Sequence, residues 1–142
     1  FAPTRAHVER WRRWLAAQKI RVVPYHAGMG REERASAERA VRSGWCQIVV
    51  ATSAFGMGMD FAGLEWMIST HAPPSLLALA QAAGRVARAG AEGTAVVLWH
   101  PTDFRIYDRG KGSDRRTAEM VSALRALESG PQPIEELNRY FS

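Results

Sequence analysis

Two arginines three residues apart, Arg85 and Arg88, stand in a stretch of small uncharged side chains, Gln81-Ala82-Ala83-Gly84-Arg85-Val86-Ala87-Arg88-Ala89-Gly90. At that spacing on a helix they project from nearly the same face. A guanidinium carries permanent charge and a planar fork of donors, so the pair suits phosphate oxygens, including charge that develops during phosphoryl transfer. Such a pair is more often solvated surface. Here, however, Asp60, Glu65, Arg85 and Arg88 are the only charged residues between Cys46 and Ala91, and that economy points to an anionic target. The second candidate is the loop Ala51-Thr52-Ser53-Ala54-Phe55-Gly56-Met57-Gly58-Met59-Asp60. Gly56 and Gly58 let backbone amides approach a phosphate or ribose, and the Asp60 carboxylate can accept from sugar hydroxyls. A tight turn with Asp60 as a cap fits equally well. A dinucleotide loop does not, because the third glycine is absent and Asp60 follows too soon for a ribose-binding acid.

These residues need elements to position them. Val8, Trp11 and Leu15 recur at helical spacing after Pro3 and Thr4, which predicts a helix from Thr4 to about Lys19. Ile20–Tyr25 reads as a strand, His26–Gly30 as a turn, and Arg31–Ser43 as a helix ending at Gly44. Gln47–Ala51 and Trp66–Thr70 are apolar runs of strand length, Ser75 can cap a helix through Leu76, Leu77, Leu79 and Ala80, and Thr94–Trp99 is a further strand. Buried strands alternating with helices imply an α/β domain in three layers, with a mostly parallel central sheet flanked by helices. In such a sheet ligands gather at the carboxyl ends of the strands, where the glycine-rich loop falls. The tail from Thr102 is helical in pieces, broken near Gly110 and Gly130. It divides the chain into a domain over residues 1–104 and a helical extension, or the start of a following domain, over 105–142. Phe1 opens with almost no strand ahead of the first helix, as though the domain were truncated at its first strand.

Composition sets the outer bounds. The chain has 142 residues, 46% hydrophobic and 23% charged, enough for one domain with its own core. No run of eighteen apolar residues occurs, so the chain reads as soluble, cytoplasmic, and without a membrane partner. The single cysteine, Cys46, leaves no internal disulfide or multi-cysteine metal site and reads as a buried free thiol. The formal charge of +5 is concentrated early: residues 1–45 carry ten Arg/Lys against four Glu. That suits a polyanion, and suits a basic solvated helix face equally.

Taken in order, Tyr25-His26-Ala27-Gly28, Arg34, Val50-Ala51-Thr52, Ala54-Phe55-Gly56-Met57-Gly58-Met59-Asp60 and Gln81-x-x-Gly84-Arg85-x-x-Arg88 resemble the second RecA-like motor domain of RecQ-like superfamily 2 helicases. The resemblance covers roughly residues 4–104. It implies an ATP-dependent DNA helicase, with DNA preferred over RNA because Ala54–Gly58 looks like the RecQ-type segment. Thr52–Asp60 matches motif V and Gln81–Arg88 matches motif VI. By the resemblance Arg88 is the arginine finger and acts catalytically with Arg85; Gly58, Asp60, Gln81 and Gly84 lie near the nucleotide; His26, Gly28, Arg34 and Thr52 lie on the nucleic-acid track. Ala82, Ala87 and Ala89 replace two acids and a glycine usual in motif VI, and Phe61 replaces a lysine. A decayed, non-catalytic nucleic-acid-binding or protein-docking module is the alternative those alanines suggest.

The sequence contains no G-x-x-x-x-G-K-[ST] loop and no Walker B Asp-Glu pair. ATP and Mg²⁺ are therefore expected to be held mainly by a first RecA-like domain of the same parent chain. The expected partners are that domain and DNA, as a single strand or at a duplex junction. No metal site is expected within the chain, and alone it should not hydrolyse ATP.

Overall fold

A computed structural model describes residues 1–55, 64–86, 93–100, 102–103 and 118–125. The first helix, α1 (Arg5–Ala17), starts where Thr4 Oγ1 accepts from the His7 amide at 3.3 Å. It ends as Lys19 turns into the left-handed region at φ 62°. Strand β1 (Val22–Tyr25) follows. Helix α2 (Arg31–Arg42) opens with the Gly30 amide donating to Glu33 Oε2 at 2.6 Å. Glu32 and Glu33 in its first turn and Arg39 and Arg42 in its last oppose the helix dipole at each end. Gly44, at φ 70°, reverses the chain into β2 (Ile48–Ala51). Beyond the glycine-rich loop come β3 (Trp66–Ser69), α3 (Leu76–Ala83) and β4 (Thr94–Val97). Ser75 Oγ caps α3 by accepting from the Ala78 amide at 3.2 Å.

The expected parallel sheet is present as two parallel pairs, β1 with β2 and β3 with β4. Backbone at Phe1 and Ala2 joins them. The Ala2 amide donates to Ala51 O at 2.8 Å, the Thr70 amide donates to Phe1 O at 3.0 Å, and the Phe1 ammonium donates to Ile68 O.

The two faces of each strand go to different layers. Val8 and Leu15 of α1 pack on Val22 and Val50, while Ala37 and Val41 of α2 pack with Tyr25, Ala51 and Phe55 on the opposite face. On that second face, Leu79 of α3 joins Met67, Met120 and Leu124 in one cluster. Residues 118–125 are helical, and their buried Met120, Ala123 and Leu124 belong to the packed body of the domain. No described helix is long and apolar enough to cross a membrane. Cys46 is free but only half-buried, a correction to the buried thiol expected from the neighbouring apolar run. It sits just after the Gly44 reversal, with Sγ donating to Ile48 O at 3.0 Å, and partial burial raises its thiol pKa.

Candidate functional site

The turns that leave β1, β2 and β3 gather at the carboxyl edge of the sheet, and the side chains behind them are tightly fixed. Tyr25, the last residue of β1, is buried; its ring meets Phe55 edge to face at 5.3 Å and its hydroxyl donates to Glu38 Oε1 at 3.1 Å. Burial, then that bond, raises the Tyr25 pKa. Phe55 also packs at 6.4 Å from the Phe1 ring, so one aromatic anchors the turn after β2. Thr52 is spent on the same turn: its amide donates to Tyr25 O at 3.1 Å, its carbonyl accepts from the Phe55 amide at 3.1 Å, and Oγ1 accepts from the Ala54 amide at 3.4 Å.

His26 turns inward against α1. It is buried, with Nε2 3.4 Å from Glu9 Oε1, and its Nδ1 has no hydrogen-bond partner among the described residues. Glu9 also accepts from Arg12 Nε at 2.8 Å. Arg12 first, and His26 further, hold the Glu9 carboxyl below the usual carboxylate range. Two residues on, Gly28 lies under the side chain of Arg5. A Cβ at Gly28 would come within 2.8 Å of Arg5 Nη1 and 3.1 Å of its Cδ and Cζ. The lack of a side chain at Gly28 is what lets an exposed guanidinium lie across this turn. Arg34, half-buried in the first turn of α2, sits close enough to act on the Tyr25 hydroxyl.

The expected arginine segment meets the sheet on the other side. Gln81 and Arg85 line a cleft of about 150 Å³ with Ser53, His71, Pro73 and Pro74. The structure thus brings Gln81 and Arg85 to the turn that follows β2. Gly84 instead closes α3, its amide donating to Ala80 O at 2.8 Å, with Ala80 O only 3.1 Å from where a Cβ would stand. Gly58, Asp60 and Arg88 lie outside the described residues.

Arg5, Glu9, His71 and Asp103 were missed by reading along the sequence. Arg5 and Glu9 look like ordinary solvated helix charges until the turn after β1 folds onto them. His71, buried in the cleft wall, has its pKa lowered to about 4, mainly by burial; the Phe1 ammonium and His7 lower it further and Asp103 opposes them. Asp103 ties two strand exits together, its Oδ2 accepting from the Ala72 amide at 3.1 Å and the His100 amide at 2.9 Å. Nothing local in the sequence announces that contact. Among the described residues no group of three His, Cys, Asp or Glu could hold a metal ion.

Residues 1–90 match the model of the helicase conserved C-terminal domain. The chain belongs to that family. Within it this helicase domain is RecQ-like. It is 42% identical over 100 residues to the ATP-dependent DNA helicase Q4 of Homo sapiens, covering 70% of this chain and 8% of that protein. It is 29% identical over 106 residues to the ATP-dependent DNA helicase RecQ of Bacillus subtilis (strain 168), covering 75% and 18% respectively. The structure of Mycobacterium smegmatis helicase Lhr bound to ssDNA and AMP-PNP is similar at TM-score 0.66 and 27% identity, covering 89% of this chain and 16% of that one. The helicase domain therefore spans less than a fifth of each of these three proteins, and the RecA-like α/β fold read from its sequence is the fold it has.

Proposed function

We propose that this domain is the second motor domain of an ATP-dependent DNA helicase. The observation that carries the reading is the cleft in which Gln81 and Arg85 face the turn after β2, at the carboxyl edge of a parallel sheet in a RecQ-like chain. In this reading a first RecA-like domain of the parent protein holds ATP and Mg²⁺. Arg85 and Arg88 meet the phosphates across the interdomain cleft, with Arg88 stabilising the charge that develops on the transferred group. Gln81, Gly58 and Asp60 lie toward the nucleotide, and Gly84 ends α3 so that Arg85 can leave the helix there. The DNA strand runs past the turns after β1 and β2. Arg5 and Arg34 supply positive charge to its phosphates, Gly28 admits Arg5, and His26 and Thr52 hold the turns rather than touch the strand. Closure on ATP and opening after hydrolysis move this edge relative to the first domain and so advance the strand. By itself the domain lacks the phosphate-binding half of the site and turns over no ATP.

In the full-length protein Arg88→Ala is expected to abolish DNA-stimulated ATPase while leaving ATP binding largely intact. Turnover at the unsubstituted rate refutes the finger assignment. Ala82, Ala87 and Ala89 favour a second reading, a nucleic-acid-binding module whose motor role has decayed. A parent protein that binds DNA without DNA-stimulated hydrolysis establishes that reading instead.

A further inference from the structure

Past Thr70 the chain reaches α3 through His71-Ala72-Pro73-Pro74, and the two prolines have no amide N–H to donate. Ala72 is completely buried, so its amide must find a partner within the fold. It finds Asp103, whose Oδ2 accepts from it at 3.1 Å. The same oxygen accepts from the His100 amide at 2.9 Å, while the Asp103 amide donates back to His100 O at 2.8 Å. Thr102 adds a further bond inside this turn, its Oγ1 lying 2.8 Å from His100 Nδ1. The carboxylate is therefore oriented by its own turn. Strand β4, anchored where the Leu98 amide donates to Ser69 O at 2.8 Å, holds that turn beside the exit of β3.

What Asp103 holds leads directly to the cleft. His71, on which the Asp103 charge also acts, lies in the cleft wall with Pro73 and Pro74, and Ser75 then caps the helix that carries Gln81. Arg85 follows just beyond the end of that helix. Leu79 packs with Met67, Met120 and Leu124, which decides the side of α3 that meets the core. Apolar contact is non-directional and does not by itself fix a helix along its axis. A hydrogen bond at the helix entry is directional, and α3, with only 8 residues, moves as a rod.

We propose that Asp103 is a positioning residue for the Gln81–Arg85 edge of the cleft, acting through the Ala72 amide and α3. Its effect on turnover rests on the motor reading; its hold on α3 does not. The test compares two variants of the purified full-length protein. Asp103→Asn keeps an oxygen acceptor at the same reach without the charge, and Asp103→Glu keeps the charge but moves it outward by one methylene. Asp103→Glu is expected to lower kcat of DNA-stimulated ATPase by about 10- to 100-fold with KM for ATP unchanged, the effect of misplacing the arginine edge by about 1 Å. Asp103→Asn should retain most of kcat. Equal turnover by the two variants overturns the proposal, and so does a change confined to KM. Hydrogen exchange is the second readout: the Ala72 and Leu79 amides should exchange faster in Asp103→Glu than in Asp103→Asn, with the Val8 amide of α1 alike in both. Equal exchange at Ala72 and Leu79 overturns the proposal, as does a matching acceleration at Val8, which marks a general loss of stability. If the unsubstituted parent shows no DNA-stimulated ATPase, the motor reading falls, and exchange alone upholds or overturns the hold of Asp103 on α3.

Discussion

His71 makes the stability of this domain depend on pH in a calculable way. In the folded chain its imidazole is held at about 4, against an ordinary 6.5, chiefly because burial disfavours the charged ring. The unfolded chain therefore takes up the proton first as pH falls. The neutral ring's contribution is intact above pH 6.5, is eroded through the window from 6.5 to 4, and levels off below it. At 1.36 kcal/mol per pKa unit the ceiling is about 3 kcal/mol, and at pH 5 the loss is about 2 kcal/mol. His71 lines an open cleft, so solvent screening reduces these figures and they are upper values. The assay is urea denaturation of the chain and of His71→Gln at pH 7 and pH 5. The substitution has its own cost at neutral pH, so the quantity compared is the change with pH. The unsubstituted chain is expected to lose more than the variant over that interval, by up to about 2 kcal/mol. Equal losses, or an NMR titration of His71 centred near 6.5, refute the reasoning.

Three further outcomes are expected. Gly28→Ala pushes the flexible Arg5 side chain off the turn after β1, so it should weaken single-stranded DNA binding by the parent protein while barely changing its melting temperature; Arg5→Ala should match it and lower the salt dependence of binding by about one phosphate contact. Met120→Ala should destabilise the domain by about 2–5 kcal/mol in denaturant unfolding, since Met120 is fully buried against Met67 and Leu79. Ser75→Ala removes the α3 cap and should cost about 1 kcal/mol by the same measurement.

Much of the fold was legible because local chemistry and tertiary packing agree. Thr4 and Ser75 cap the helices they were expected to cap, and Gly44 ends α2 with the positive φ that glycine tolerates best. Strand ends were less legible. Ile20 still donates to Leu15 O, and the Lys19 turn delays β1 until Val22, an effect no propensity reveals. The candidate site was legible as a set of motifs, because the spacing of Gln81 and Arg85 and the glycines after β2 survive in the linear sequence. How those motifs are supported was not. Arg5 over Gly28, Glu9 on His26 and Asp103 on Ala72 are pairings between segments that only the crossovers bring together. His71 sits in a Thr-His-Ala-Pro-Pro run that reads as an exposed connection, and its burial follows from how the β3 exit packs against Asp103 and the amino terminus.

The seam at Phe1 and Ala2 has a consequence for cooperativity. Each strand pair closes through a crossover of moderate length, but the seam joins positions 67 residues apart at Ile68 and 69 apart at Thr70. Loop-closure entropy makes such contacts slow to form, and the seam is a place where the halves can open separately. The turns after β1 and β2 belong to one half, while Gln81 and Arg85 belong to the other. Amide exchange at Ala2 and Thr70 therefore reports whether the domain fluctuates as one foldon or as two, and with it whether the two sides of the cleft keep their alignment.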